Sequence, residues 1–171
     1  MALLHNTYGI AARNFTAYPE MPDARALVDY GVRMEQMGFD SLWVWDHILL
    51  GVEPNFPIID SLTLLTAIAA RTTKIKLATG ILVLPLRNPV VLAKQLASID
   101  QLSGGRLLMA MAAGWYKREF DAVGGGRRFG ECLLRLRGHR RAEHGKRHRP
   151  QRLRRGFLLR QIDRIRSGGP G

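Results

Sequence analysis

The chain has 171 residues, 46% of them hydrophobic and 23% charged, which is enough to build one ordinary core. Its net charge of +12 points at first to a nucleic-acid binder, but residues 1–124 carry four Lys and seven Arg against eleven Asp and Glu, a net of zero, so the whole excess sits in residues 125–171. A single cysteine, Cys132, excludes an intrachain disulfide and a cysteine-rich metal cluster. No apolar run approaches the roughly 20 residues of a membrane span, and the N-terminus reads as no secretory signal, so a reducing, cytoplasmic setting is expected.

Residues 4–12 are a candidate first strand, and residues 13–21 are polar and turn-like. Pro22 and Asp23 then open a helix with Leu27, Tyr30, Met34 and Met37 as its apolar stripe, and Gly38 stops it. Residues 39–45 (FDSLWVW) read as a second strand, with Asp46 and His47 directly at its end. Residues 48–58 form a loop holding Gly51, Pro54 and Pro57. Asp60 or Ser61 caps the next helix, whose stripe is Leu62, Leu65, Ile68 and Ala69 and which closes at Thr72 and Thr73.

Residues 74–120 hold one complete strand–helix–strand unit, around which the rest is organised. Residues 75–83 are a nearly continuous apolar run, as a parallel strand buried on both faces requires. Pro85 ends it, because proline donates nothing to a ladder. Asn88 is a good N-cap and Pro89 suits the first helical position. Leu92, Leu96, Ile99 and Leu102 make one helical stripe, and Ser103, Gly104 and Gly105 stop the helix. Residues 107–113 are a fourth strand, with Gly114 and Trp115 at its C-terminal end. Strands alternating with helices of this length imply right-handed crossovers and a parallel sheet. After Gly124 the pattern fails: arginines interrupt every stripe, fourteen Arg stand against one Lys, and a loose helix or disorder is expected.

Three motifs, GFDSLWVWDH at 38–47, LATGILVLPLRNPVVLAKQLASIDQLSGGRL at 77–107 and GWYKREFDAVG at 114–124, resemble in order and spacing the luciferase-like monooxygenase family, the bacterial-luciferase-type flavin and deazaflavin oxidoreductases. The resemblance covers about residues 8–124. It implies a TIM-type (β/α)8 barrel, a fold that takes roughly 250 residues. Residues 1–124 would then be its N-terminal half, four β/α units, followed by a basic irregular tail at 125–171. The Arg-over-Lys bias of that tail is what GC-rich coding sequence gives when read out of frame. A frameshift near 124–135 is therefore expected in preference to a selected basic arm, since Lys neutralises phosphate too.

The resemblance further implies an oxidoreductase or monooxygenase acting on a small molecule, with FMN or the deazaflavin coenzyme F420 as cofactor. Phosphate-binding parts of the family lie mostly in later β/α units, so the chain is expected to be truncated and impaired, binding cofactor weakly by itself. The alternative is a non-enzymatic interaction protein whose Arg-rich tail binds nucleic acid or anionic surfaces. Against it stand arginine without lysine and only two tail aromatics, Phe129 and Phe157.

In parallel α/β folds the C-terminal strand ends carry the site. That rule nominates Asp46, His47, Thr79, Gly80, Ile81, Gly114 and Trp115. A histidine there can donate a hydrogen bond to a flavin ring or stabilise charge on it. The resemblance implies that Asp46 and His47 lie by the cofactor ring, with His47 as the catalytic residue; on the residues alone, a capping Asp beside a half-buried His explains them as well. Gly80 marks either a bulge or a close ligand approach, and the resemblance implies a non-proline cis peptide at Gly80–Ile81 behind the ring. A plain glycine in a crowded layer is the competing reading. Trp115 either walls the pocket or covers the rim. Met109 and Met111 are bulkier than the small residues the family often has here, and crowd the site unless they point away. Arg87 and Arg106 read as structural, and His5 as a surface residue. No G-x-G-x-x-G follows a strand, and no metal-ligand spacing appears. Four strands cannot close a barrel, so the first and fourth would be open edges and self-association is expected.

Overall fold

Strands and helices alternate as the periodicity predicts, and most boundaries have a local chemical cause. The computed structural model describes residues 7–51 and 54–124; the readings of residues 125–171 as disorder, a frameshift product or a binding arm lie outside the described residues. Strand β1 (Gly9–Ala12) leads to helix α1 (Ala24–Gln36). Asp23 caps α1 by accepting from the backbone N–H groups of Arg25 and Ala26 at 2.9 and 3.0 Å. Strand β2 (Ser41–Val44) follows. A small antiparallel hairpin, β3 (Leu50–Gly51) and β4 (Asn55–Phe56), then stands where the sequence reads only as loop.

Asp60 caps α2 (Ser61–Ala69) through the N–H of Thr63, and Asn88 caps α3 (Pro89–Leu102) through those of Val90 and Val91. Between them run β5 (Lys76–Val83) and a 3-10 turn at Leu84–Leu86 that contains Pro85. Strand β6 (Leu107–Ala112) and a short helix α4 (Lys117–Ala122) complete the described order.

The main sheet is parallel, in the order β1-β2-β5-β6. Its register lines up Ile10, Leu42, Leu77 and Leu107. This row faces the helices: Leu42 and Leu77 are wholly buried with Met34 of α1 and Leu65 and Ile68 of α2. The next row, Ala11, Trp43, Ala78 and Leu108, alternates to the opposite face. A second cluster joins Leu82 of β5 to Leu92, Leu96 and Ile99 of α3 and Leu62 of α2, with Met109 packed against it. Met109 therefore points into the helix layer, and its bulk stays off the opposite face.

Helix α2 lies between α1 and α3, so it is buried on two flanks. That is why Leu64, absent from the expected stripe, is as buried as Leu62. Met37 and Leu102, expected at the ends of the α1 and α3 stripes, are instead exposed at the overhanging helix termini. Two side chains tie down the base. Glu35 accepts from the backbone N–H groups of Thr73, Lys74 and Ile75 at 3.0, 2.6 and 2.8 Å. Arg106, buried, donates to the carbonyls of Ala69, Thr72, Ser103 and Ile75 and to the Thr72 hydroxyl.

Candidate active site

The rim at the C-terminal strand ends is built on buried polar junctions. Asn14, just after β1, donates to the carbonyls of Trp45 and Ile59 at 2.9 and 2.8 Å and accepts from the Trp45 N–H. It joins the ends of β1 and β2 to the approach of α2. Asp46 does the same one layer over. Its Oδ1 accepts from the Ser61 hydroxyl at 2.6 Å and from Arg87 Nη2 at 2.5 Å, and its Oδ2 from the Val83 N–H at 3.0 Å. Arg87 also reaches Asp60 at 3.1 Å.

Burial alone would lower the Arg87 guanidinium, but Asp46 and Asp60 outweigh it and hold its pKa above the ordinary value. Burial likewise pushes Asp60 up, while Thr63 and Arg87 outweigh it and keep its pKa below the usual carboxylate value. The Asp46 carboxylate is thus committed to the junction of β2, α2 and β5. What it gives the rim is the position of the next residue, His47. Arg87 and Arg106 both have the structural roles that the sequence predicts.

His47 is the half-buried member of a pair that the sequence does not reveal. Its Nδ1 lies 3.2 Å from both carboxylate oxygens of Glu119. Glu119 is wholly buried on α4, and its Oε1 also accepts from the N–H groups of Ile48 and Leu49 at 2.6 and 3.2 Å. From sequence, Glu119 sits in the charged run Lys117, Arg118, Glu119, Asp121 and reads as part of a solvated face. The one available signal is its neighbour Phe120, an isolated large apolar side chain that is wholly buried. Arg118 Nη1 donates to the Gly51 carbonyl, so α4 holds the hairpin as well as His47.

The Gly80–Ile81 peptide is cis, as the resemblance implies, and the β5–β6 register shifts between Thr79 and Leu82. Gly80 lies over the indole of Trp43: a Cβ there would sit 3.4 Å from Cε3. Ile81 is exposed beside it. Thr79 differs from expectation. Its side chain is wholly buried in the row of Val44 and Met109, and its hydroxyl donates to the Ala110 carbonyl at 3.1 Å. The side chain thus faces the helix layer, and only the Thr79 backbone is left for a ligand.

Gly114 has φ +76°, and a Cβ would fall 2.4 Å from Val83 Cγ1, so both conformation and space demand glycine. Trp115 is 76% exposed and tilted against Tyr116 at 5.5 Å, on the rim among the described residues. Phe15 meets Trp45 and Phe56 edge-on at 5.4 and 6.1 Å, giving the rim an aromatic flank. A cavity of about 420 Å3 lies apart from all these residues, beside β1 and α1 with Ala11, Leu27 and Tyr30 in its lining. Among the described residues no group of His, Cys, Asp and Glu could hold a metal ion, and no helix is long and apolar enough to cross a membrane.

Comparison with known proteins agrees with this architecture. The F420-dependent glucose-6-phosphate dehydrogenase of Amycolatopsis mediterranei is 35% identical over 111 residues, covering 64% of this chain and 33% of that protein. The FMNH2-dependent dimethylsulfone monooxygenase of Pseudomonas putida is 45% identical over 65 residues, 38% of this chain and 18% of that one. The solved coenzyme F420-dependent tetrahydromethanopterin reductase of Methanopyrus kandleri superposes with a TM-score of 0.54 at 28% identity, over 69% of this chain and 30% of that chain. The chain thus spans about a third or less of the length of these relatives. The family model for luciferase-like monooxygenases matches residues 7–154, running past Gly124, where the motifs stop. The fold is the parallel α/β arrangement of the TIM-barrel enzymes of that group, and the chain belongs to the luciferase-like monooxygenase family.

Proposed function

We propose that this chain carries the ring-side portion of a flavin- or deazaflavin-dependent oxidoreductase or monooxygenase that acts on a small molecule, with FMN or coenzyme F420 as cofactor. The carrying observation is His47 at the end of β2, held through Nδ1 by a buried carboxylate, which leaves Nε2 unengaged by Glu119. Relatives named for F420 and for FMNH2 support both cofactors. The face opposite the helices suits a planar ring: Ala78 and Gly80 keep it low around Trp43. When bound, such a cofactor supplies hydride transfer or, for a reduced flavin, oxygen activation. His47 orients or polarises at the ring, and Asp46, through its junction with Arg87, keeps His47 in place.

The phosphate end is different. Arg87 is taken by Asp46 and Asp60, Lys117 by Asp121, and Arg118 by the Gly51 carbonyl, while Arg13 stacks over Phe15. Each of these rim cations already has a partner, so the described residues grip the ring better than the phosphate. Cofactor binding by this chain alone is therefore weak and its turnover impaired. Titration of the full chain with FMN and with F420, beside His47→Gln, tests this. The expected result is an affinity weaker than micromolar that the substitution lowers severalfold. Submicromolar affinity would refute the missing phosphate grip; affinity untouched by His47→Gln would refute the placement at His47. The chain is also expected to self-associate, because β1 and β6 each have one strand neighbour among the described residues.

A further inference from the structure

We infer that Glu119 is a positioning residue that fixes the tautomer of His47, so that the imidazole meets its ligand as a hydrogen-bond acceptor through a bare Nε2. A carboxylate accepts hydrogen bonds and donates none. Nδ1 of His47 lies 3.2 Å from Oε1 and 3.2 Å from Oε2, so whichever oxygen it meets, Nδ1 is the nitrogen that must carry the proton. In the neutral ring the lone pair then sits on Nε2, on the side away from Glu119. The pair is screened on one side only: the His47 side chain is 20% exposed and that of Glu119 2%. A buried partner of this kind strengthens the preference for one tautomer.

Glu119 is itself held in place. Its Oε1 takes the N–H groups of Ile48 and Leu49. Its neighbour Phe120 packs with Val83 at the end of β5 and with Leu86 of the following turn. Arg118 fastens the same helix to Gly51. Residues 47–51 are therefore referenced to the end of β5 through α4, and the proton on Nδ1 is fixed by that frame. The consequence is chemical selection: Nε2 favours a ligand that offers an O–H or N–H at this point over one that offers only a carbonyl. That consequence rests on the reading of His47 as the ring-side residue; the tautomer itself does not.

The test is the 15N spectrum of the full chain labelled at histidine, read through multiple-bond correlations, with His47 assigned by its loss in His47→Gln. At a pH where the ring is neutral, the expected pattern has a protonated, pyrrole-type Nδ1 and a bare, pyridine-type Nε2. In Glu119→Gln the amide oxygen keeps the position of Oε1, where two backbone donors hold it, and the amide nitrogen turns to Nδ1. Nδ1 then faces one acceptor and one donor in place of two acceptors, so part of the proton population moves to Nε2 and the two 15N signals shift toward each other while circular dichroism is unchanged. A wild-type His47 protonated on Nε2 overturns the inference, and so does a folded Glu119→Gln whose two 15N signals are unshifted from wild type. If Glu119→Gln fails to fold, the wild-type pattern decides alone. The readout needs no cofactor, so failure of the titration above and failure of this inference are separate results.

Discussion

Arg106 at the base of the sheet and Arg87 at the rim each join acceptors from different elements, but Arg87 does so through Nη2 alone, whereas Arg106 uses its whole planar fork, Nε, Nη1 and Nη2. Burial lowers the Arg106 pKa, with Glu35 opposing, yet the group keeps partners on Ala69, Thr72, Ile75 and Ser103. Lysine has a point charge and no fork. Arg106→Lys is expected to strand at least two of these buried carbonyls and to destabilise by about 2–6 kcal/mol, at roughly 1–3 kcal/mol for each unsatisfied group. The urea midpoint measures it, and an unchanged midpoint refutes the assigned role. The surface pair of Arg71 and Asp29, 3.8 Å apart and 60% and 64% exposed, is the contrast: removing it changes stability by less than about 1 kcal/mol.

The element scale is set by caps and staples. Burial pushes the Glu35 carboxyl up, but three backbone N–H groups outweigh it and hold its pKa below the ordinary value of 4.5. A depressed carboxylate gives its stabilisation fully above the ordinary value and loses it as pH falls through the folded value. The link between α1 and the start of β5 should therefore weaken below about pH 4.5, with Asp60 adding to the loss in the same acid range because its pKa is also lowered. Glu35→Gln should lower the neutral-pH urea midpoint and flatten its decline on acidification; an unaltered slope would refute the staple. Asp23, Asp60 and Asn88 were legible because capping is local chemistry between residues two or three apart. The hairpin strands are two residues each and α4 is six, too short to carry a periodic signal. His47 was legible as a strand-end residue, but its partner lies 72 positions away, and no local pattern reports such a contact. The bulge at Gly80 could be read from glycine in an apolar strand; the direction of the Thr79 side chain could not, because one step of register reverses it.

At the scale of the whole molecule, the governing feature is a parallel sheet whose outer strands each lack a second neighbour among the described residues. Residues 107–112 (LLMAMA) carry no charge, and Met111 is 41% exposed on β6. Such an edge has unpaired N–H and C=O groups and nothing to repel another strand. Residues 1–124 sum to zero charge, so this part of the chain adds no net repulsion at its own strand edges. Sedimentation velocity at micromolar concentration should show self-association, and Met111→Lys, which places a charge on the edge strand at a side chain that is part-exposed beside Leu82, should shift the distribution toward monomer with the circular dichroism unchanged. A clean wild-type monomer refutes the open-edge reading. Ionic strength separates it from association driven by residues 125–171, whose net charge is +12. Contacts made by arginine with anionic partners weaken as the Debye length shrinks from about 10 Å at 0.1 M salt to about 3 Å at 1 M. Strand pairing and apolar burial do not depend on that length, so association through β1 and β6 should persist in 1 M salt and still be broken by Met111→Lys.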